Sequence, residues 1–221
     1  MFENFSEMML ELFAEALWET VLMVGVSGLL GGLFGIPLGV FLGLPDKGGV
    51  LENTPLNVVV GGLVNAARST PFIILLVAII PFTRWITGTS IGTWAAVVPL
   101  TVAVAPFIAR LVETALREVD AGLIEAAQSM GATTSQIVCK VLLPEAMPGI
   151  VAALTISLVS LTGYSAMAGA VGGGGLGDLG IRYGYQRFLP DVMLAVVVIL
   201  IVFVQLIQSF GDWLVRRISH R

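Results

Sequence analysis

The stretch Val192-Met-Leu-Ala-Val-Val-Val-Ile-Leu-Ile-Val-Phe-Val-Gln-Leu-Ile-Gln-Ser-Phe-Gly-Asp-Trp-Leu214 carries no charge before Asp212. A helix needs about 20 apolar residues to cross a hydrocarbon core of about 30 Å, so this stretch reads as a membrane span. Working outward, four more apolar segments stand at about 16–44, 58–80, 91–112 and 150–171. The whole chain of 221 residues is 57% hydrophobic and only 12% charged, with a mean hydropathy of +0.96. Soluble domains carry about a quarter charged residues, so this chain is not built to face water on all sides. The expected fold is all-α and integral to the membrane, with five spanning helices in one domain over 1–221.

Basic residues flanking the spans decide orientation. With the N-terminus outside, Lys47, Arg110, Arg117, Lys140, Arg216, Arg217 and Arg221 fall inside, and only Arg84, Arg182 and Arg187 fall outside. The reverse arrangement inverts that excess. The expected placement therefore puts the C-terminus and the long 114–147 loop in the cytoplasm. The N-terminus opens on Glu3, Glu7, Glu11 and Glu15 rather than on basic residues. It does not read as a cleavable signal, and the first span is expected to be kept. Phe2, Phe5, Met9, Leu12, Phe13 and Ala16 recur at helical spacing between those glutamates. This reads either as an acidic helix on the outer surface or as an extension of the first span. Within that span Gly31, Gly35, Gly39 and Gly43 recur every fourth residue, a ridge that lets two helix backbones approach closely. Pro37 lies within the ridge and is a candidate kink.

The exception to this apolar pattern is Glu125-Ala-Ala-Gln-Ser-Met-Gly-Ala-Thr-Thr-Ser-Gln-Ile-Val-Cys-Lys-Val-Leu-Leu-Pro144. Asp120 suits a helix N-cap, with Leu123, Ile124, Ala127 and Met130 giving one apolar face. Gly131 suits the position after a helix end, where a left-handed backbone is least strained in glycine. Thr133 to Gln136 matches a capping box opening a second short helix, which Pro144 is expected to end. Such a loop is either a connector on the membrane interface or a docking element. Glu125 offers a charge, and the alanines at 126 and 127 leave room for a partner surface.

The spacing of Glu125-Ala126-Ala127, Gly131, Val141 and Leu143-Pro144 resembles the loop of bacterial ABC importer permeases. That loop reads Glu-Ala-Ala, three residues, Gly, nine residues, Ile, one residue, Leu-Pro; here Val141 replaces the isoleucine. Arg68-Ser-Thr-Pro-Phe-Ile-Ile-Leu-Leu76, Ile80-Pro-Phe-Thr-Arg84, Gly88-Thr-Ser-Ile-Gly92 and Gly163-Tyr-Ser-Ala-Met167 are similar to the methionine-uptake permeases in particular. The resemblance implies a type I importer permease of the bacterial inner membrane that works by alternating access. It implies a homodimer, two ATPase subunits that bind ATP and Mg, and an external methionine-binding protein. In that family the loop is a coupling helix docking in a cleft of the ATPase, which assigns Glu125, Ala126, Ala127, Gly131, Leu143 and Pro144 to coupling.

On the fourth span Ser157, Ser160, Tyr164 and Met167 fall on one helix face. Hydroxyls, a phenol and a thioether suit passage of a zwitterion with an apolar tail, and Tyr164 and Met167 are candidates for the gate. The alternative is that the serines bond back to their own helix and the rest is packing. Arg68 is the basic residue well inside an apolar segment. It is a costly mid-membrane group if 58–80 is the span, or an interfacial one if the span begins near Pro71. Pro99 and Pro106 are expected to bend the third span, at whose end Arg110, Glu113 and Arg117 share a face. Gly172-Gly-Gly-Gly-Leu-Gly177 has no strand before it, so it does not read as a dinucleotide site. It is expected to be flexible. Arg182, Tyr183, Tyr185 and Arg187 beyond it are candidates for docking the external receptor.

Several classes are disfavoured. A net charge of −4 offers nothing to a nucleic acid, and one cysteine (Cys139) and one histidine (His220) leave little for a metal site. No Gly-x-x-x-x-Gly-Lys-[Ser/Thr] loop occurs, so ATP hydrolysis is expected on another chain and no cofactor on this one. A membrane enzyme would need a catalytic cluster that the chain lacks. A secondary transporter working without an ATPase, or a permease for another small polar amino acid, are the alternatives. Five spans do not divide into matched inverted halves, which weighs against the former.

Overall fold

The computed structural model describes residues 2–44 and 55–219, with backbone alone at 2–8 and 56. Lys47, His220, Arg221 and the side chains of Phe2, Glu3, Phe5 and Glu7 lie outside the described residues. Those residues form ten α-helices and no strand. Four helical stretches are long and apolar enough to cross a membrane, and a fifth span results if one bent pair is counted as a single crossing.

Helix α1 runs unbroken over Phe2–Gly43, through Pro37. At 1.5 Å per residue it is about 63 Å long, roughly twice the hydrocarbon thickness. The acidic N-terminal stretch is thus an extension of the first span, not a separate helix. Its apolar positions Met9, Leu12, Phe13 and Ala16 pack with Leu176, Leu179, Val192 and Val196 from the other end of the chain.

The glycine ridge of α1 meets α5 (Thr93–Arg117). A Cβ on Gly35 would sit 2.6 Å from the Ala105 carbonyl oxygen, and one on Gly39 would sit 2.5 Å from that of Ala109. Gly31 and Gly43 lie likewise against Val104 and Leu116. On α5, Leu100, Val104, Ile108, Val112 and Leu116 also recur every fourth residue and are fully or almost fully buried. Two four-residue ridges interlock, and the absence of side chains on one brings the backbones together.

The segment expected as a span over 58–80 is divided. Helix α2 (Pro55–Ser69) and helix α3 (Phe72–Ala78) meet at an elbow, bent by 103° over Asn57–Ser69 and Phe72–Ala78. Pro71 forces extended backbone on its predecessor and cannot donate into α2, so the helix stops there. Ser69 and Thr70 donate their hydroxyls to the carbonyls of Asn65 and Ala66, at 2.9 and 3.2 Å, near that end of α2. Helix α4 (Ile80–Thr87) follows and ends at Gly88 in the left-handed conformation (φ 75°).

After α5 and the short α6 (Ala121–Ser129), a long helical stretch begins at Thr134 and breaks within Gly169–Gly173, where Val171 and Gly172 (φ 90°) leave helical backbone. It comprises α7 (Thr134–Ile137), a π-turn at Val138–Leu142, α8 (Leu143–Ala168) and a second wide turn at Gly169–Gly173. The expectation that Pro144 ends the second loop helix is therefore corrected. The widened turn precedes Pro144, which lies in the first turn of α8, where a missing N–H disrupts least.

The Gly172–Gly177 segment, expected to be flexible, is tightly packed. A Cβ on Gly169 would lie 2.5 Å from the Asp178 backbone nitrogen, and Gly177 presses on the Ala166 backbone. Helix α9 (Gly175–Leu179) follows, and α10 (Pro190–Ile218) closes the bundle with Gly211 against Thr155 of α8. Leu194, Val198, Ile201, Leu206 and Phe210 of α10 stay exposed, as a lipid-facing or partner-facing surface requires.

Filling the ridge should separate α1 from α5. Gly39→Val is expected to destabilise the protein by about 3 kcal/mol, the upper end for overpacking, because backbone rather than side chain must yield. Gly25, with nothing within 4 Å of an added Cβ, should accept alanine with little change. Thermal unfolding of the two variants in detergent checks the contrast.

Candidate functional site

The loop between α5 and α7 is built by local chemistry. Asp120 caps α6, its carboxylate accepting the Gly122 N–H at 2.7 Å. At the other end Gly131 adopts φ 78°, its N–H bonds Gln128 O at 2.9 Å, and the Ala132 N–H bonds Ala127 O at 3.1 Å. These two bonds form a Schellman turn, which satisfies carbonyls the helix end would leave open. Thr133 and Gln136 then make both bonds of a capping box to start α7. The turn at Gly131 is therefore fixed in shape, not loose.

The residues assigned to coupling divide between its two sides. Glu125, Ala126, Gly131 and Pro144 are exposed, and Leu143 is half-buried. Ala127 is buried, packed with the chain's own core beside Ile124, Ile137 and Leu142, so it seats the loop rather than opening space on its surface. Two residues not assigned by spacing, Leu123 and Met130, stand out from the same helix and are exposed. The spacing groups both with Ile124 and Ala127 on one apolar face, but only Ile124 and Ala127 are buried. Above the loop, the Glu113 carboxylate is 3% exposed and accepts from Arg110 and, at 2.8 Å, from Arg117. Arg110 also donates twice to the Asn65 side-chain oxygen, at 3.1 and 2.9 Å, tying α2 to α5. A carboxylate this buried is tolerable because two guanidiniums and their hydrogen bonds surround it.

The α8 face is less uniform than its spacing. Ser157 is 1% exposed and donates to Ala153 O at 2.7 Å, and Ser160 donates to Ile156 O at 3.0 Å. Both hydroxyls are thus satisfied by their own helix. Of the three other than Ser157, Ser160 and Tyr164 are half-buried and Met167 is 49% exposed. The Tyr164 ring stacks on Phe72 of α3, with centroids 4.8 Å apart and planes 12° from parallel. Arg68 is exposed in the last turn of α2, its guanidinium 5.8 Å from the Phe107 ring centroid. It lies beside the elbow, a place that neither reading of a straight span foresaw.

At the opposite end, Arg182 pairs with Asp178 at 2.6 Å and Arg187 lies 4.4 Å above the Tyr183 ring. Tyr185 is exposed, and so is Phe188, which holds a φ of 55° rare for a non-glycine residue. Glu19 of α1 was missed by sequence reasoning. Its carboxylate accepts the Thr93 hydroxyl at 3.0 Å and the Gly175 N–H at 2.6 Å. Beside it, Thr20 accepts the Leu176 N–H at 2.9 Å. No periodicity links these residues; only the fold brings them together.

Residues 35–220 match the family described as binding-protein-dependent transport system inner membrane component. The probable D-methionine transport system permease protein MetI of Vibrio cholerae is 59% identical over 211 residues, covering 96% of this chain and 94% of that protein. The corresponding protein of Pasteurella multocida is 48% identical, covering 96% and 97%. Among solved structures, an inward-facing form of the MetNI methionine ABC transporter aligns with a TM-score of 0.94 and 55% identity, covering 97% of this chain and 99% of that one. An amino acid ABC transporter crystallised with histidines shares the fold at 22% identity, with a TM-score of 0.77 and 96% of each chain covered.

The Schellman turn makes a sharp prediction. Gly131→Val forces a β-branched residue to φ 78° and should cost about 1–2 kcal/mol or more, concentrated at the α6–α7 junction. Hydrogen exchange should then rise in 121–137 while the α1–α5 contact stays protected.

Proposed function

The chain belongs to the family of binding-protein-dependent transport system inner membrane components, as a permease subunit of an ABC transporter, and from that premise we propose that it imports methionine. The observation that carries the cargo is the high identity, over almost the full length, to chains named for D-methionine and methionine transport. Two copies of the chain would form the pathway between them, and two ATPase subunits would bind ATP and Mg on the cytoplasmic side. An external methionine-binding protein would deliver the substrate at the other end. The excess of Arg and Lys at the loop end supports an inner-membrane orientation with the N-terminus outside.

In this reading α6 is the coupling helix. Glu125, Ala126 and the exposed Leu123 and Met130 meet the ATPase, and Ala127 holds α6 onto the body of the permease. Gly131 sets the angle at which α6 leaves the helix that begins at Thr134, with Leu143 and Pro144 at the base of α8. ATP binding draws the two ATPases together, and α6 passes that displacement into α8. On α8, Ser160, Tyr164 and Met167 line the path, with Ser157 packed behind them and Arg68 at the elbow beside it. A thioether and an aromatic face are soft, polarizable surfaces that suit a thioether cargo. Arg182, Tyr183, Tyr185 and Arg187 form part of the surface that meets the receptor, Arg182 and Arg187 being already held by Asp178 and Tyr183. Alternating access follows: the pathway opens outward when the ATPases close, and inward when hydrolysis releases them.

Reconstitution with the cognate ATPase and receptor tests the reading. Uptake of methionine should require ATP and all three components, and gradient-driven uptake by the permease alone would overturn it. Within the working complex, Met167→Ala should raise basal ATP hydrolysis several-fold and lower uptake per ATP, because the narrowest part of the path has been widened. Unchanged values for both would remove Met167 from the gate.

A further inference from the structure

The two arms of the elbow are held differently: α2 packs on α5, whereas α3 touches both α5 and α8. On one side α2 is tied to α5, through the Asn65–Arg110 bonds and through Arg68 over Phe107. On the other, Phe72 is the buried residue of α3, and its ring lies flat on Tyr164 of α8. Ile73, Ile74 and Val77 of α3 are open. Between the arms, Ser69 and Thr70 are bonded back into α2, and Pro71 has no N–H with which to continue the helix. A displacement of α8 against α5 therefore reaches α3 through the Phe72–Tyr164 stack.

We propose that Phe72 is a positioning residue of the pathway: its stack on Tyr164 orients that ring and couples α3, which also rests on α5, to the movement of α8. The near-parallel stack on Phe72 sets the orientation of the Tyr164 ring. Near-parallel rings fit this role, since they hold two helices together by area without fixing a single register. The residue that faces the cargo is Tyr164; Phe72 acts through it. The inference rests on the importer reading of α8 given above.

The test uses the complete complex of permease, ATPase and receptor in proteoliposomes, with methionine as the probe and uptake per ATP hydrolysed as the readout. Phe72→Leu and Phe72→Met should each lower that ratio about fivefold, the factor corresponding to one lost ring pair. Phe72→Tyr and Phe72→Trp should keep it within about twofold, since either ring can stack. Tyr164→Leu should match Phe72→Leu, and the double variant should be no worse than either single one. An assembled Phe72→Leu or Phe72→Met complex with the parent's ratio would overturn the inference, as would losses that multiply in the double variant. A parent complex that takes up no methionine would instead overturn the importer reading, so the two failures are distinguishable.

Discussion

The close approach of α1 and α5 is the constraint on which the rest of the structure depends. Between helices in lipid there is no water to expel, so association relies on packing at short range. Four glycines at four-residue spacing supply it, and the matching ridge on α5 is buried against them. With α5 fixed, its other faces become the frame. Gly149 lets α8 come within contact of Ala115, and Gly28 does the same for Leu158 against α1. Arg110, between Ile108 and Val112 but on another face of α5, then reaches α2 through Asn65. The broken second span is thus oriented by polar bonds to a helix that apolar packing has already set in place.

That order explains how much of the molecule could be read from its sequence. Span number, the glycine ridge, the Asp120 and Thr133 caps and the Gly131 turn are local or periodic features, and each is where the residues indicate. The elbow was half-visible: Pro71 marks a stop, but a change of direction by 103° depends on what α3 finds to pack on. The path through Pro144 was not visible, because a π-turn is a response of the backbone to its neighbours and has no periodic signature. The glycines at 172–177 look the same in sequence whether they are slack or compressed. Only contacts with Ala166, Ala168 and Glu19 distinguish the two.

The candidate site divides in the same manner. The loop after α5 is legible in its caps and its turn, since Asp120, Thr133, Gln136 and Gly131 each act on backbone only a few residues away. The α8 face is not. Helical spacing put Ser157 with Ser160, Tyr164 and Met167, yet Ser157 is enclosed and its hydroxyl is bonded to Ala153. A helix surrounded by neighbours has more than one buried side, and periodicity alone does not say which side remains open. Phe72 and Glu19 escaped notice for a related reason: an aromatic in an apolar run and an acid in an acidic run attract no attention until a distant partner is seen.

Glu19 also bears on how the chain comes to be assembled. Its bond to Gly175 and that of Thr20 to Leu176 each join residues 156 positions apart. The first helix to be synthesised therefore reaches its final surroundings only after about four-fifths of the chain has been made. Until then a carboxylate and two backbone donors of the glycine turn lack one another, in a setting where unpaired polar groups are costly. The bonds that seal the finished bundle therefore form only once both ends of the chain are present.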